Sequence, residues 1–138
     1  MKSLVPCLWF DTEAEDAMNY YTSIFKNSKK GKVERYGEGG PRPAGMVITA
    51  SFELNGMEFL ALNGGPQFKF TEAISFQVPC ESQDEVDYYW DNLTKDGGKP
   101  VQCGWLKDKF GLSWQVFPTM LPKLLGDPDK AKATRVMQ

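Results

Sequence analysis

Apolar and polar positions alternate in two rhythms along this chain, and the same succession of rhythms occurs twice. Residues 4–10 are an apolar run closed by Asp11 and Thr12, the mark of a buried strand. Thr12-Glu13-Ala14-Glu15 then has the form of a capping box, with Thr12 as N-cap and Glu15 reaching back. Ala14, Ala17, Met18, Tyr21, Ile24 and Phe25 follow at helical spacing, and the helix is expected to end near Asn27. A loop is predicted over 28–32, a short strand over 33–36, and a surface loop over 37–45, where glycines mix with Pro41 and Pro43. Residues 46–54 alternate strictly, Asn55-Gly56 is a strong hairpin turn, and 57–62 return antiparallel. That register sets Glu53 opposite Glu58, a like-charge pair that belongs at a solvated end.

After Asn63-Gly64-Gly65-Pro66 the pattern starts again. Residues 74–80 read as a strand and Ser82-Gln83-Asp84-Glu85 as a second capping box. Val86, Tyr89, Trp90 and Leu93 form a second helical stripe, and 101–106 and 112–117 the later strands, with a turn over 107–111. Ala14, Ala17, Met18 and Tyr21 map onto Val86, Tyr89, Trp90 and Leu93 at one constant offset. Strand, capping box, helix and hairpin recurring in that order make an internal repeat. The predicted fold is α+β, one domain over 1–138 made of two β-α-β-β-β units that form a cupped mixed sheet around a pocket. Unit one covers about 1–65, unit two about 72–118, and a helical tail about 119–138. In the tail, Asp127-Pro128 is a good helix start, and Ala133, Val136 and Met137 give 129–137 a thin apolar stripe.

Composition narrows the chemistry. The 138 residues suit one domain, and the net charge of -2 gives no reason to expect nucleic acid or a membrane surface as partner. Lys29, Lys30 and Lys32 read as a solvated loop. Cys7, Cys80 and Cys103 are odd in number and widely spaced, which favours a reducing compartment. With no signal-peptide layout in residues 1–11 and no apolar run near about 18 residues, the expected location is the cytoplasm. The chain has no histidine, so the commonest general base, the commonest zinc ligand and every Ser-His or Cys-His pair are missing.

Three runs carry a resemblance: Leu4-Val5-Pro6-Cys7-Leu8-Trp9-Phe10-Asp11, Phe59-Leu60-Ala61-Leu62-Asn63-Gly64-Gly65-Pro66, and Cys103-Gly104-Trp105-Leu106-Lys107-Asp108-Lys109-Phe110-Gly111-Leu112-Ser113-Trp114-Gln115. Together they resemble the PhnB-like family, often labelled 3-demethylubiquinone-9 3-methyltransferase-like, of the vicinal oxygen chelate superfamily of glyoxalase I, extradiol dioxygenases and bleomycin-resistance proteins. The resemblance implies the paired-unit fold and a homodimer. It leaves activity open, because that superfamily includes metal enzymes and drug-binding proteins. The methyltransferase label finds no strand–glycine loop–helix in the chain, and no cofactor is expected.

Metal enzymes of the superfamily draw ligands from the first and last strand of each unit. Here the first strand offers Val5, Cys7 and Trp9. The last strand of unit one offers either Leu60 and Leu62 or Ala61 and Asn63, and the first strand of unit two offers Ser75 and Gln77. Gln115 stands where metal-binding relatives carry Glu. Cys7, Gln77 and Gln115 make a thin donor set, and one neutral amide does not hold a divalent ion. Alternation along 112–116 turns Leu112 and Trp114 to the helix and Ser113 and Gln115 to the pocket. The candidate ligand-binding residues are therefore Cys7, Trp9, Asn63, Ser75, Gln77, Trp105, Ser113 and Gln115, with Phe68 and Phe70 nearby, no metal ligands and no assigned catalytic residue. The expected function is metal-free binding of an unidentified small molecule. The alternatives are a metal-dependent enzyme of the glyoxalase or dioxygenase type and an interaction module whose pocket is filled.

Overall fold

The computed structural model describes residues 1–119, so the helix expected over 129–137 lies outside the described residues. The chain divides into two units, Met1–Lys69 and a second beginning at Phe70, each with the element order β-α-β-β-β. No helix among the described residues is long and apolar enough to cross a membrane.

Unit one contains β1 (Cys7–Phe10), α1 (Ala14–Ile24), β2 (Ser28–Arg35), β3 (Val47–Leu54) and β4 (Met57–Asn63). Its sheet has the order β1-β4-β3-β2, with β1 parallel to β4 and the other pairings antiparallel. Ala50 and Ala61 are neighbours in the sheet, and Ala14 and Ala17 lie on the helix; none of the four has measurable exposure. Small side chains on both layers let α1 settle close to the sheet. Tyr21, Phe52 and Phe59 then fill the space beside them, the two phenylalanine rings stacking at 5.4 Å. The Asn55-Gly56 turn is realised as expected, with both residues at positive φ (51° and 85°).

Three expectations for unit one change. The first strand begins at Cys7, and Leu4 is 82% exposed. Pro6 has no N–H to pair, and only its carbonyl joins the ladder, accepting from Leu60 N–H. Residues 28–32 form part of an edge strand instead of a loop. Lys29 stands opposite Glu53, which in turn faces Glu58, so the like-charge pair has a cation at its flank. The register shifts between Lys30 and Val33, where Lys32 N–H donates to Ser51 Oγ. Finally, Thr12 does not cap α1. The N-cap is Glu13, without a side-chain cap, and the donor Ala14 N–H is satisfied by Asn63 Oδ1 from the end of β4.

Unit two contains β5 (Ser75–Cys80), α2 (Gln83–Thr94), β6 (Lys99–Pro100), β7 (Trp105–Lys107) and β8 (Ser113–Pro118), in the order β5-β8-β7-β6 with β5 parallel to β8. Here the serine half of the capping box is realised, with Ser82 Oγ accepting from Glu85 N–H, while Glu85 Oε1 reaches one residue further back and accepts from Glu81 N–H. The strand expected over 101–106 is instead two short strands around a turn at Cys103 and Gly104, both at positive φ. Leu106, Leu112, Trp114, Val116 and Val78 fill the helix side of the sheet with Leu93.

Asp108 organises the β7–β8 connection. Its carboxylate is 3% exposed: Oδ1 accepts from the N–H groups of Phe110 and Leu112, and Oδ2 accepts from Trp114 Nε1 at 2.8 Å. An aspartate turn was expected at this place; the tie to the core tryptophan was not.

Candidate functional site

Period-two alternation gives each sheet a face against its helix and an open face. In unit two the parallel pairing of β5 with β8 is in perfect step: Ser75 faces Ser113, and Gln77 faces Gln115. On the far side of β8, Lys107 faces Ser113 and Trp105 faces Gln115. The open face thus carries two rows, Ser75–Ser113–Lys107 and Gln77–Gln115–Trp105. Phe76, Trp114 and Leu106 form the row between them on the helix side.

Within these rows Gln115 Nε2 donates to Ser75 Oγ at 2.8 Å. Ser113 is 1% exposed, and its hydroxyl has no hydrogen-bond partner among the described residues. Lys107 Nζ pairs with Glu72 on the segment before β5. The hydrogen bond from Lys107 holds the Glu72 carboxyl below the usual carboxylate range. Gln77 is exposed, and Trp105 is half-buried. The structure therefore brings Ser75, Gln77, Trp105, Ser113 and Gln115 together on one face of unit two. Lys107 belongs with them and was missed, because 107–111 reads as a turn; alternation continued from Trp105 would have found it.

Unit one presents a different open face. Its rows are Cys7–Leu60–Ser51 and Trp9–Leu62–Thr49, with the β4 leucine between the other two in each. The ambiguity over β4 resolves with Leu60 and Leu62 on the open side. Ala61 and Asn63 lie on the helix side. Asn63 is accordingly 4% exposed and engaged at both ends, Oδ1 accepting from Ala14 N–H and Nδ2 donating to the Val47 carbonyl. It staples helix to sheet, and the expectation that it meets a ligand gives way to that role.

Trp9 is held by its surroundings. Its indole N–H donates to the Gly65 carbonyl at 2.9 Å, and Phe68 meets its ring edge-on at 4.9 Å. A Cβ on Gly64 would fall 2.4 Å from the indole carbons, so the tryptophan lies directly on the Asn63-Gly64-Gly65-Pro66 backbone. Cys7 is exposed at the edge strand, yet partial burial of its sulfur pushes the thiol up, away from the thiolate a nucleophile needs. Cys80 is buried and pushed up to about 11, by burial first and by Glu85 second; Cys103 is exposed in its turn.

The donor chemistry does not fit a divalent ion. The strand positions that would supply ligands hold a thiol, two leucines, a hydroxyl and two neutral amides, with Gln115 already bonded to Ser75. Among the described residues no three His, Cys, Asp or Glu side chains converge. A nucleotide-like methyl donor is no better served: the glycine-rich segment 37–45 leads into β3, not into a helix.

Comparison with known proteins gives a consistent picture. Residues 2–117 match the family described as 3-demethylubiquinone-9 3-methyltransferase. A PhnB protein from Bacillus cereus is 38% identical, with a TM-score of 0.75 over 85% of this chain and 99% of its own. Protein PA1353 from Pseudomonas aeruginosa shares the fold at 19% identity and a TM-score of 0.67, covering 86% of this chain and 98% of its own. A glyoxylase/bleomycin resistance protein/dioxygenase domain from Frankia sp. EAN1pec shares it at 17% identity and a TM-score of 0.52, covering 83% and 94%. None of the curated proteins matches the chain.

Proposed function

Since the chain belongs to the PhnB-like family described as 3-demethylubiquinone-9 3-methyltransferase, on a glyoxalase/bleomycin-resistance-type fold, we propose that it binds a small molecule without a metal. The ligand is held at the open face of unit two. One observation carries the reading. The open face of β8 buries a hydroxyl, Ser113 Oγ, that has no partner among the described residues, beside an amide–hydroxyl pair and a half-buried tryptophan. A buried polar atom of that kind costs about 1–3 kcal/mol unless something meets it. A face built only for stability has no use for it, whereas a few convergent polar groups beside an aromatic ring suit a ligand. On unit one, Cys7 and Trp9 with Leu60 and Leu62 supply a more apolar surface.

Replacing Gln115 tests this. Gln115→Leu removes one bond to a hydroxyl that water can satisfy, so unfolding stability is expected to fall by less than about 1 kcal/mol. Fragments found by ligand-observed NMR on the wild-type protein should lose most of their binding. A large loss of stability with unchanged fragment binding would end the reading. Elemental analysis of protein prepared without chelators addresses the competing metal-enzyme reading, and a tightly held stoichiometric metal would reverse the ranking.

We propose also that the protein is a homodimer. In each unit the first strand is an edge strand, and Leu4 and Val5 stand exposed beside the start of β1. Light scattering at micromolar concentration is expected to give twice the chain mass; the single chain mass would refute it.

A further inference from the structure

The hydrogen-bonding capacity of the unit-two face is unbalanced, and the imbalance points to a ligand class. Ser113 Oγ has a proton and no acceptor. Ser75 Oγ receives the Gln115 amide and so directs its own proton elsewhere. Lys107, in the same row, brings an ammonium. Two hydroxyl protons and an ammonium thus lie in the one row Ser75–Ser113–Lys107. Among the described residues the ammonium's acceptor is the Glu72 carboxylate, from a segment outside the sheet. Both partners of that pair keep substantial solvent exposure, 37% for the Lys107 side chain and 59% for that of Glu72. Exposed ion pairs are weakly held and easily exchanged. In the neighbouring row, Trp105 sets an aromatic surface beside Gln115.

We infer that the ligand of this face is a flat or aromatic carboxylate whose charged group takes the place of Glu72 at Lys107 and receives the hydroxyls of Ser113 and Ser75, with its ring against Trp105. In the free protein Glu72 is the built-in stand-in for that group. The inference rests on the ligand-binding reading of this face and names what it binds.

Benzoate and its neutral isostere benzamide are the probes, with tryptophan fluorescence and NMR titration as readouts. Benzoate should bind and benzamide should bind at least about tenfold more weakly, since a charge-assisted bond exceeds a neutral one. Glu72→Gln removes the competitor and should tighten benzoate severalfold. Lys107→Met should weaken benzoate by about tenfold or more and leave benzamide unchanged. Unfolding midpoints of both variants should stay near wild type, because the pair is exposed. Equal binding of benzoate and benzamide, or benzoate binding indifferent to Lys107→Met, overturns the carboxylate inference while the ligand-binding face stands. Absence of benzoate binding even by Glu72→Gln also overturns it. The fragment screen against Gln115→Leu then judges the broader reading separately.

Discussion

Asp108→Asn is expected to destabilise the protein by about 2–4 kcal/mol, although it alters a single atom of a side chain's outline. Three donors are aimed at this carboxylate: the N–H of Phe110, the N–H of Leu112 and the indole N–H of Trp114. A carboxylate accepts on both oxygens; an amide accepts on one and donates from the other. In either orientation asparagine sets an NH₂ against a donor in a place that is 3% exposed. Urea unfolding of Asp108→Asn measures the cost. In a Trp114→Phe background, where the indole donor is gone, the same change should cost distinctly less. A cost below about 1 kcal/mol, or one unaffected by Trp114→Phe, would refute the account.

Asn63→Ala should cost a similar amount, about 2–4 kcal/mol, for a different reason. It strands a donor and an acceptor at once, Ala14 N–H at the start of α1 and the Val47 carbonyl. Asn63→Asp is not expected to rescue it. The aspartate keeps an acceptor for the helix start, where negative charge is favourable, but sets its second oxygen against a carbonyl and buries a charge. Hydrogen exchange localises the effect: the Ala14 amide should exchange far faster in Asn63→Ala. Unchanged protection there would show that the staple carries no weight.

What could be read from the sequence follows from how each segment is solvated. The two-unit order was legible because α1 and the 46–54 hairpin strand have one wet and one dry side, which leaves a clear period. Ser113 and Gln115 were placed correctly on the face away from Trp114, since that strand alternates polar and apolar residues. Asn63 was misread because β4 runs between β1 and β3 and carries apolar residues on both faces. Leu60, Ala61 and Leu62 give no contrast, and only pairing settles the register. The first half of β2, 28–32, reads as a loop for the opposite reason. As an edge strand rich in lysine it has almost no buried side, and its lysines guard the edge. Lys107, the last residue of β7, falls within the turn predicted over 107–111, and Trp9 lies on a glycine far away in sequence, beyond the reach of any local pattern.

The parallel pairings have a bearing on how the chain matures. Among the described strands, the first of each unit pairs only with the last, β1 with β4 and β5 with β8, with the whole helix and hairpin between them. Such pairings close long loops, so they form late and slowly. On the ribosome β1 waits as an unpaired edge until β4 has emerged, while the Asn55-Gly56 hairpin can already close by itself. Unit one can therefore finish as a whole before unit two has its last strand. The polar face of β8 is then the last part of the described chain to be assembled.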